Sequence, residues 1–431
     1  MSKFQLILLV SFGAFIIIAV LLFSFSGGSG GTKTANINIW GDIPAEDFNT
    51  LMNDAGLAND RSLVLQYSYK NPQTFDAVFT ESLALGAGPD LVFLTQDKIY
   101  KERNKILVIP SSSVSQSSFS KAFIDESDLF LSSNGIYALP ITIDPLVLYF
   151  NRDLLSKAAL TFPPAFWDQM YSYANKLTTK DGAGNLTKSV MALGEAKNIP
   201  NSKEILALLM LQAGTPITDV SVDSQPSQLQ AELTNNFNLP LNPASSALDF
   251  YTQFTNPAKP FYSWNRSLRS ADTNFASGDS ALYVGFASEL RELRAKSPTL
   301  NLGVAPVPQS RVSGKTETFG RLRGVAISKG SKNPSAALRA ALLLSSQNTS
   351  QALSKIMQLP PPRRDLLSNK PTDPINSVFY DAAIQSRGWL DPDDVGTDQI
   401  FTNMIESVTS GRARVDQAIS TAQDQINALI K

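Results

Sequence analysis

The sequence predicts an α/β protein of more than one domain, and three observations carry that expectation. Between residues 36 and 94, strand-like and helix-like segments alternate. That order implies parallel strands in one sheet with helices on both faces. The run LVFL at 91–94 is apolar without alternation, the pattern of a strand buried on both sides. The chain has 431 residues, and at roughly 150 residues per domain this is enough for two or three domains.

In chain order, the first element is residues 6–25 (LILLVSFGAFIIIAVLLFSF), which carry no charge. Twenty helical residues at ~1.5 Å each span ~30 Å, the thickness of a bilayer's hydrocarbon core. A cleaved leader usually has an apolar region of only ~7–15 residues, and Ser24-Phe25-Ser26 is a poor cleavage signal. A retained single-pass transmembrane anchor is therefore expected, with the N-terminus cytoplasmic and the bulk of the chain extracytoplasmic. A flexible linker is expected over 26–35; its stretch SGGSGGTKT gives a mean reach of ~15–18 Å.

Beyond the linker, NINIW at 36–40 and the alternating LVLQYSY at 63–69 read as strands. Residues 43–57 have helical spacing, with Pro44 early, where a first turn tolerates it. Residues 72–85 form another helical pattern, stopped by Gly86 and Gly88. The apolar run YALPITIDPLVLYF at 137–150 holds Pro140 and Pro145, which central strands disfavour, so two strands jointed near Asp144-Pro145 are expected. Helices are predicted over 165–177, 205–213, 336–346 and 350–357, with further helical patterns starting at 247–254 and 274–276. Strands are predicted over 280–284, 302–307 and 324–328, a long loop over 220–242, and a mostly helical C-terminus over 398–430.

Composition narrows the chemistry. Lys+Arg number 37 and Asp+Glu 38, so the net charge of −1 argues against a nucleic-acid binder. Cys and His are both absent. Their absence removes Cys-bearing zinc sites, Cys nucleophiles and every triad that contains His. The sequence DPDD at 391–394 lacks the spacing and glycine of an EF-hand loop, and no Gly-x-x-x-x-Gly-Lys phosphate loop is present. No cofactor or metal is called for.

Nine segments in shared order resemble the carbohydrate-type extracytoplasmic solute-binding proteins of ABC importers, the maltose-binding-protein class. They are GPDLVF at 88–93, YALP at 137–140, LYFNRDLL at 148–155, PPAFWD at 163–168, LQAG at 211–214, FASGDSAL at 275–282, GVAPVP at 303–308, GVAISK at 324–329 and LPPPRRDL at 359–366. The resemblance implies the two-lobed periplasmic-binding-protein fold, type II-like, with a hinge between lobes. It assigns 36–143 plus 302–346 to an N-terminal lobe and 144–299 plus 350–431 to a C-terminal lobe, with one hinge crossing at Asp144-Pro145. Two features depart from the class: there is no lipid-bearing Cys, and Ser288 stands where the class often carries a Trp.

The candidate ligand-binding residues follow from position and chemistry. Trp40 ends the first strand and Asp42 follows it, and Gln96 and Asp97 follow LVFL; open α/β sheets bind ligands beyond the carboxyl ends of strands. A planar ring offers a face to sugar C–H groups, and a carboxylate accepts hydroxyl hydrogen bonds. A helix N-cap is an equal reading of Asp97. Tyr137 and Asp144 flank the hinge run, either in the site or in packing and turn. Trp264 and Asn265 lie in a polar loop, which favours a ligand over a core role. Phe286 and Ser288 enter only through the resemblance. Arg321 and Arg323 either bind an acidic ligand as a pair or are held by a carboxylate such as Asp42 or Asp97.

The leading reading is a membrane-tethered receptor, acting as a monomer, that binds a small solute such as a sugar and delivers it to ABC permease subunits. It performs no catalysis. A ligand sensor or scaffold signalling to a membrane partner remains open, and a carboxylate-pair glycosidase is the less favoured third reading.

Overall fold

Parallel pairing builds the first part of the sheet. The computed structural model describes residues 34–60, 62–221, 228–311 and 314–430. Strand β1 (Ala35–Gly41) pairs in parallel with β2 (Leu63–Tyr69) and β3 (Leu91–Thr95), with helices Ala45–Asp54 and Phe75–Ala84 between them. The other principal strands are β4 (Leu139–Asn151), β5 (Leu186–Met191), β6 (Ser280–Phe286), β7 (Leu302–Ala305) and β8 (Thr318–Ser328). The sheet runs β2-β1-β3-β8-β4-β6-β5, with β7 also on β4.

β4 corrects an expectation. It is one continuous strand of 13 residues, all buried, and not two strands broken at Asp144-Pro145. Both prolines sit where their missing N–H is not needed. Pro140 lies at a register shift opposite Arg323/Gly324 of β8. Pro145 lies where β4 changes partners: up to Pro145 it pairs with β8, and from Leu146 onward with β6 and β7.

The same point divides two hydrophobic cores. The first gathers Ile37, Phe48, Phe79, Leu94, Ile143 and Val325. The second gathers Leu146, Tyr149, Leu208, Trp264, Phe286 and Phe401. On β4 the cores part between Ile143 and Leu146, and on β8 between Phe319 and Leu322. β4 and β8 thus run from one lobe into the other, and the fold is two-lobed.

Smaller differences are local. The expected loop at 220–242 contributes part of an antiparallel pair, Thr218–Ser221 with Gln228–Ala231. β8 begins six residues earlier than the predicted 324, so Arg321 and Arg323 are strand residues. The expected anchor at 6–25 and the linker through residue 33 lie outside the described residues. Among the described residues, no helix is long and apolar enough to cross a membrane.

Candidate functional site: the cleft between the lobes

The two lobes face each other across a cavity of about 1450 Å³. Pro44 and Asp47, where helix Ala45–Asp54 begins after β1, line it from the first lobe. Ser288 and Arg291, where helix Glu289–Lys296 begins after β6, line it from the second. Tyr380 and Met357, on helices that connect the lobes, close its side. Both lobe walls stand at strand carboxyl ends, where open sheets leave a crevice.

Charged groups of the crossing strands adjoin this space through Ser288. Ser288 lines the cavity, and its backbone N–H donates to Asp144 Oδ1 at 3.0 Å. Burial pushes the Asp144 carboxyl up, and Ser288, Arg321 and Arg323 pull against it. Arg321 is the register partner of Asp144. Its guanidinium lies 3.9 Å from the Phe286 ring centroid, and its Nη2 is 3.1 Å from Glu204 Oε1. Burial pulls its pKa down, but Glu204, Asp144 and Asp97 hold it above the ordinary arginine value. On the same face of β8, Arg323 Nη2 is 2.7 Å from Asp42 Oδ2, and Nη1 donates to Thr142 Oγ1 at 3.1 Å. Each arginine therefore has a protein carboxylate, Asp42 for Arg323 and the unanticipated Glu204 for Arg321.

A second charged group joins the lobes directly. Lys98, on helix Gln96–Glu102 of the first lobe, is 2.8 Å from Asp394 of the second. Lys101 is 3.2 Å from Asp393, and both lysines also hold Asp76. Within the second lobe, Lys203 pairs with buried Asp391 at 2.7 Å. Burial pushes Asp391 up to about 6, with Lys203 opposing.

The predicted residues divide accordingly. Asp42, Asp144, Phe286, Ser288, Arg321 and Arg323 come together around the crossing strands, but of these only Ser288 lines the cavity, and Phe286 is buried in the second core. Asp97 stands at the start of its helix, accepts from the Thr95 hydroxyl, and acts electrostatically on Arg321, Lys203 and Asp391. Thr95 holds the N-cap position of that helix, without a side-chain capping bond, so Asp97 is not the N-cap. Trp40 lies one residue before the end of β1, but the Lys70 ammonium covers its ring at 4.0 Å. Gln96 is buried, and its amide braces β8, donating to Gly320 O at 2.9 Å and accepting from Leu322 N–H at 2.7 Å. Tyr137 packs against the first core.

Trp264 and Asn265 are not at the cleft. Trp264 is fully buried in the second core, and its Nε1 donates to Asn198 Oδ1 at 3.1 Å. Asn265 holds a local turn, accepting from the N–H and hydroxyl of Ser267 at 3.0 and 2.6 Å. A polar loop in sequence gives no view of the remote helices that pack over it. Glu204 and Lys203 left a readable signal: two charges head a helix that is otherwise apolar through 205–211.

Comparisons agree with this architecture. No curated protein matches the chain. Among solved structures, a cyclo/maltodextrin-binding protein complexed with maltotetraose is 19% identical, with 93% of this chain and 98% of that one covered and a TM-score of 0.73. The cyclic alpha-maltosyl-1,6-maltose binding protein from Arthrobacter globiformis is 15% identical, covers 92% and 99%, and has a TM-score of 0.72. The GacH receptor of Streptomyces glaucescens, solved unliganded and with acarbose, is 16% identical, covers 92% and 99%, and has a TM-score of 0.69. The family model described as bacterial extracellular solute-binding protein matches residues 66–377. With most of its length matched and its lobes, crossing strands and cleft in place, the chain belongs to the bacterial extracellular solute-binding protein family.

Proposed function

We propose that this protein is a membrane-tethered extracytoplasmic receptor that binds a neutral carbohydrate between its lobes and passes it to an ABC permease. The observation that carries the reading is the cleft of about 1450 Å³ walled by both lobes of a solute-binding fold. Its size exceeds the ~300–1,000 Å³ of ordinary small-molecule pockets, which suits more than one sugar ring. Its lining is rich in hydrogen-bonding groups, among them Asp47, Asn348, Gln351 and Tyr380. Pairing of Arg321 with Glu204 and of Arg323 with Asp42 favours a neutral ligand over an acidic one. The sugar-binding structural relatives support the carbohydrate class.

In this reading the expected lobes, 36–143 plus 302–346 and 144–299 plus 350–431, keep their centres but shift at the edges: 302–319 packs with the second core, and Leu353, Leu367 and Ala383 pack with the first. Ligand contacts come from Asp42, Asp97, Asp144, Ser288, Arg321 and Arg323, joined by Glu204. A ligand touching both lobes stabilises their approach, and the permease recognises the surfaces so aligned. Residues 6–25 hold the receptor at the membrane.

A thermal-shift screen of neutral oligosaccharides, polyols, uronic acids and short peptides tests the reading. A ligand at 100 times its Kd stabilises the fold by about 2.7 kcal/mol. Stabilisation by a neutral sugar and none by its uronic acid supports it. Stabilisation by acids or peptides alone refutes it.

A further inference from the structure

Glu126 is a buried carboxyl group at the place where the chain passes between lobes. It lies in the turn Asp125–Phe130 of the first lobe and is 2% exposed. Three crossings meet there. Gly320 of β8 is the register partner of Pro145 of β4. The start of β8 pairs in parallel with Ser386–Arg387. That segment joins the lobes too: it leaves helix Pro374–Gln385, which packs on both cores with Ala382 in the second and Ala383 in the first, and leads to Trp389 in the second.

The carboxyl group is wedged between two of these crossings. A Cβ on Gly320 would stand 2.1 Å from Glu126 Oε2, and one on Gly388 would stand 2.8 Å from Oε1. Only glycine allows so close an approach on both sides. Among the described residues, neither Glu126 oxygen has a hydrogen-bond partner. Ser386 and Arg387 are beside it, but both are otherwise engaged. The Ser386 hydroxyl donates to Ala383 O at 2.8 Å. Arg387 is 2.9 Å from Asp125 and 3.8 Å from Glu317. A negative charge here has no free counter-ion, and burying an uncompensated charge is costly.

We propose that Glu126 is a proton-operated pin in the hinge: as a neutral acid it holds the three crossings in this arrangement, and as a carboxylate it drives the lobes to rotate until water reaches it. Burial pushes this carboxyl up to about 7, with Ser386 and Arg387 pulling the other way. In a rotated, hydrated arrangement it returns towards its ordinary 4.5. The sign follows from linkage. The pinned arrangement is fully favoured below pH 4.5, loses favour as pH rises towards about 7, and changes no further above that. The proposal concerns the hinge and does not depend on which solute binds.

The chain has no cysteine, so two can be introduced for labelling without interference. Exposed Ser112 and Ala183 lie on different lobes, and the full chain carrying Ser112→Cys and Ala183→Cys takes a donor and an acceptor dye. Energy transfer is then read from pH 4 to pH 8 with no solute added. The lobe equilibrium is expected to shift by up to about tenfold per pH unit between the two limits. Glu126→Gln, which keeps the neutral form, is expected to hold the low-pH signal throughout. Glu126→Met, apolar and of similar length, is the second variant and should do the same. A wild-type signal that is constant with pH overturns the proposal, as does a folded variant of either kind that titrates like wild type. Carboxyl-carbon NMR of the unaltered protein serves whichever variant folds: no glutamate titrating above about pH 6, beyond the ordinary carboxylate range, also overturns it.

Discussion

Trp264 is the largest side chain that the fold buries completely. Its ring fills the second core and its indole N–H is satisfied by Asn198. Trp264→Ala should therefore cost about 3–5 kcal/mol of stability through the cavity it leaves, read by urea denaturation. An unchanged denaturation midpoint would place the ring outside the core. Asp42 behaves differently because it neutralises Arg323, whose side chain is only 16% exposed. Asp42→Ala leaves that guanidinium partly buried without its carboxylate, at a cost of about 1–3 kcal/mol. Adding Arg323→Met should recover part of that loss. A double-mutant cycle measures the coupling, and strict additivity would deny it. The arginine pair also shows what sequence spacing conveys. Two residues apart in a strand means one face, and β8 places them so. Their partners were less legible. Asp42 was a named candidate, whereas Glu204 lies 117 positions before Arg321 and only the fold brings it near.

At the scale of elements, β4 and β8 carry the connection between lobes. Where they pair, Gly324 sits at the register shift, and a Cβ there would meet Phe130 Cε2 at 2.6 Å and Ala138 Cβ at 2.8 Å. Gly324→Ala should destabilise by about 1–3 kcal/mol through overpacking, seen as a lower melting temperature. Helix Gln96–Glu102 and the start of helix Asp394–Thr409 meet through Lys98, Lys101, Asp393 and Asp394, with Asp76 beside them. Burial pushes the Asp76 carboxyl up, but Lys101 and Lys98 outweigh it and hold it below 3.8. Asp76 therefore stabilises the arrangement above pH 3.8, and that contribution is lost as pH falls through its lowered pKa. Acid titration of Asp76→Asn should show a smaller loss of stability in that range than wild type. An identical acid limb would remove Asp76 from the cluster's energetics.

For the whole molecule, the anchor expectation rests on residues 6–25 alone. A stretch long enough to span a bilayer and poor in cleavage signal should persist in the mature protein. Mass analysis of membrane-extracted protein checks this, and a mature N-terminus near residue 27 would contradict it. The cleft adds a prediction about ligand size. If several rings occupy about 1450 Å³, affinity should rise from a monosaccharide to its trimer, measured by calorimetry. A monosaccharide that binds as tightly as its trimer would confine the ligand to one subsite.

What the sequence determined by itself was local and periodic. The alternation over 36–94 made β1, β2 and β3 parallel partners, because strand periodicity and crossover helices are written in nearest-neighbour order. The ordered motifs carried the family, because a shared succession of short segments reflects a shared fold. Tertiary structure decided the rest. Whether Pro140 and Pro145 break β4 depends on which strand lies opposite each nitrogen, and partner strands 140 or more residues away supply that answer. Whether Trp264 faces solute or core, and which carboxylate neutralises Arg321, depend on packing across the whole chain. Burial and charge pairing are properties of distance in space, and a linear sequence records only distance along the backbone.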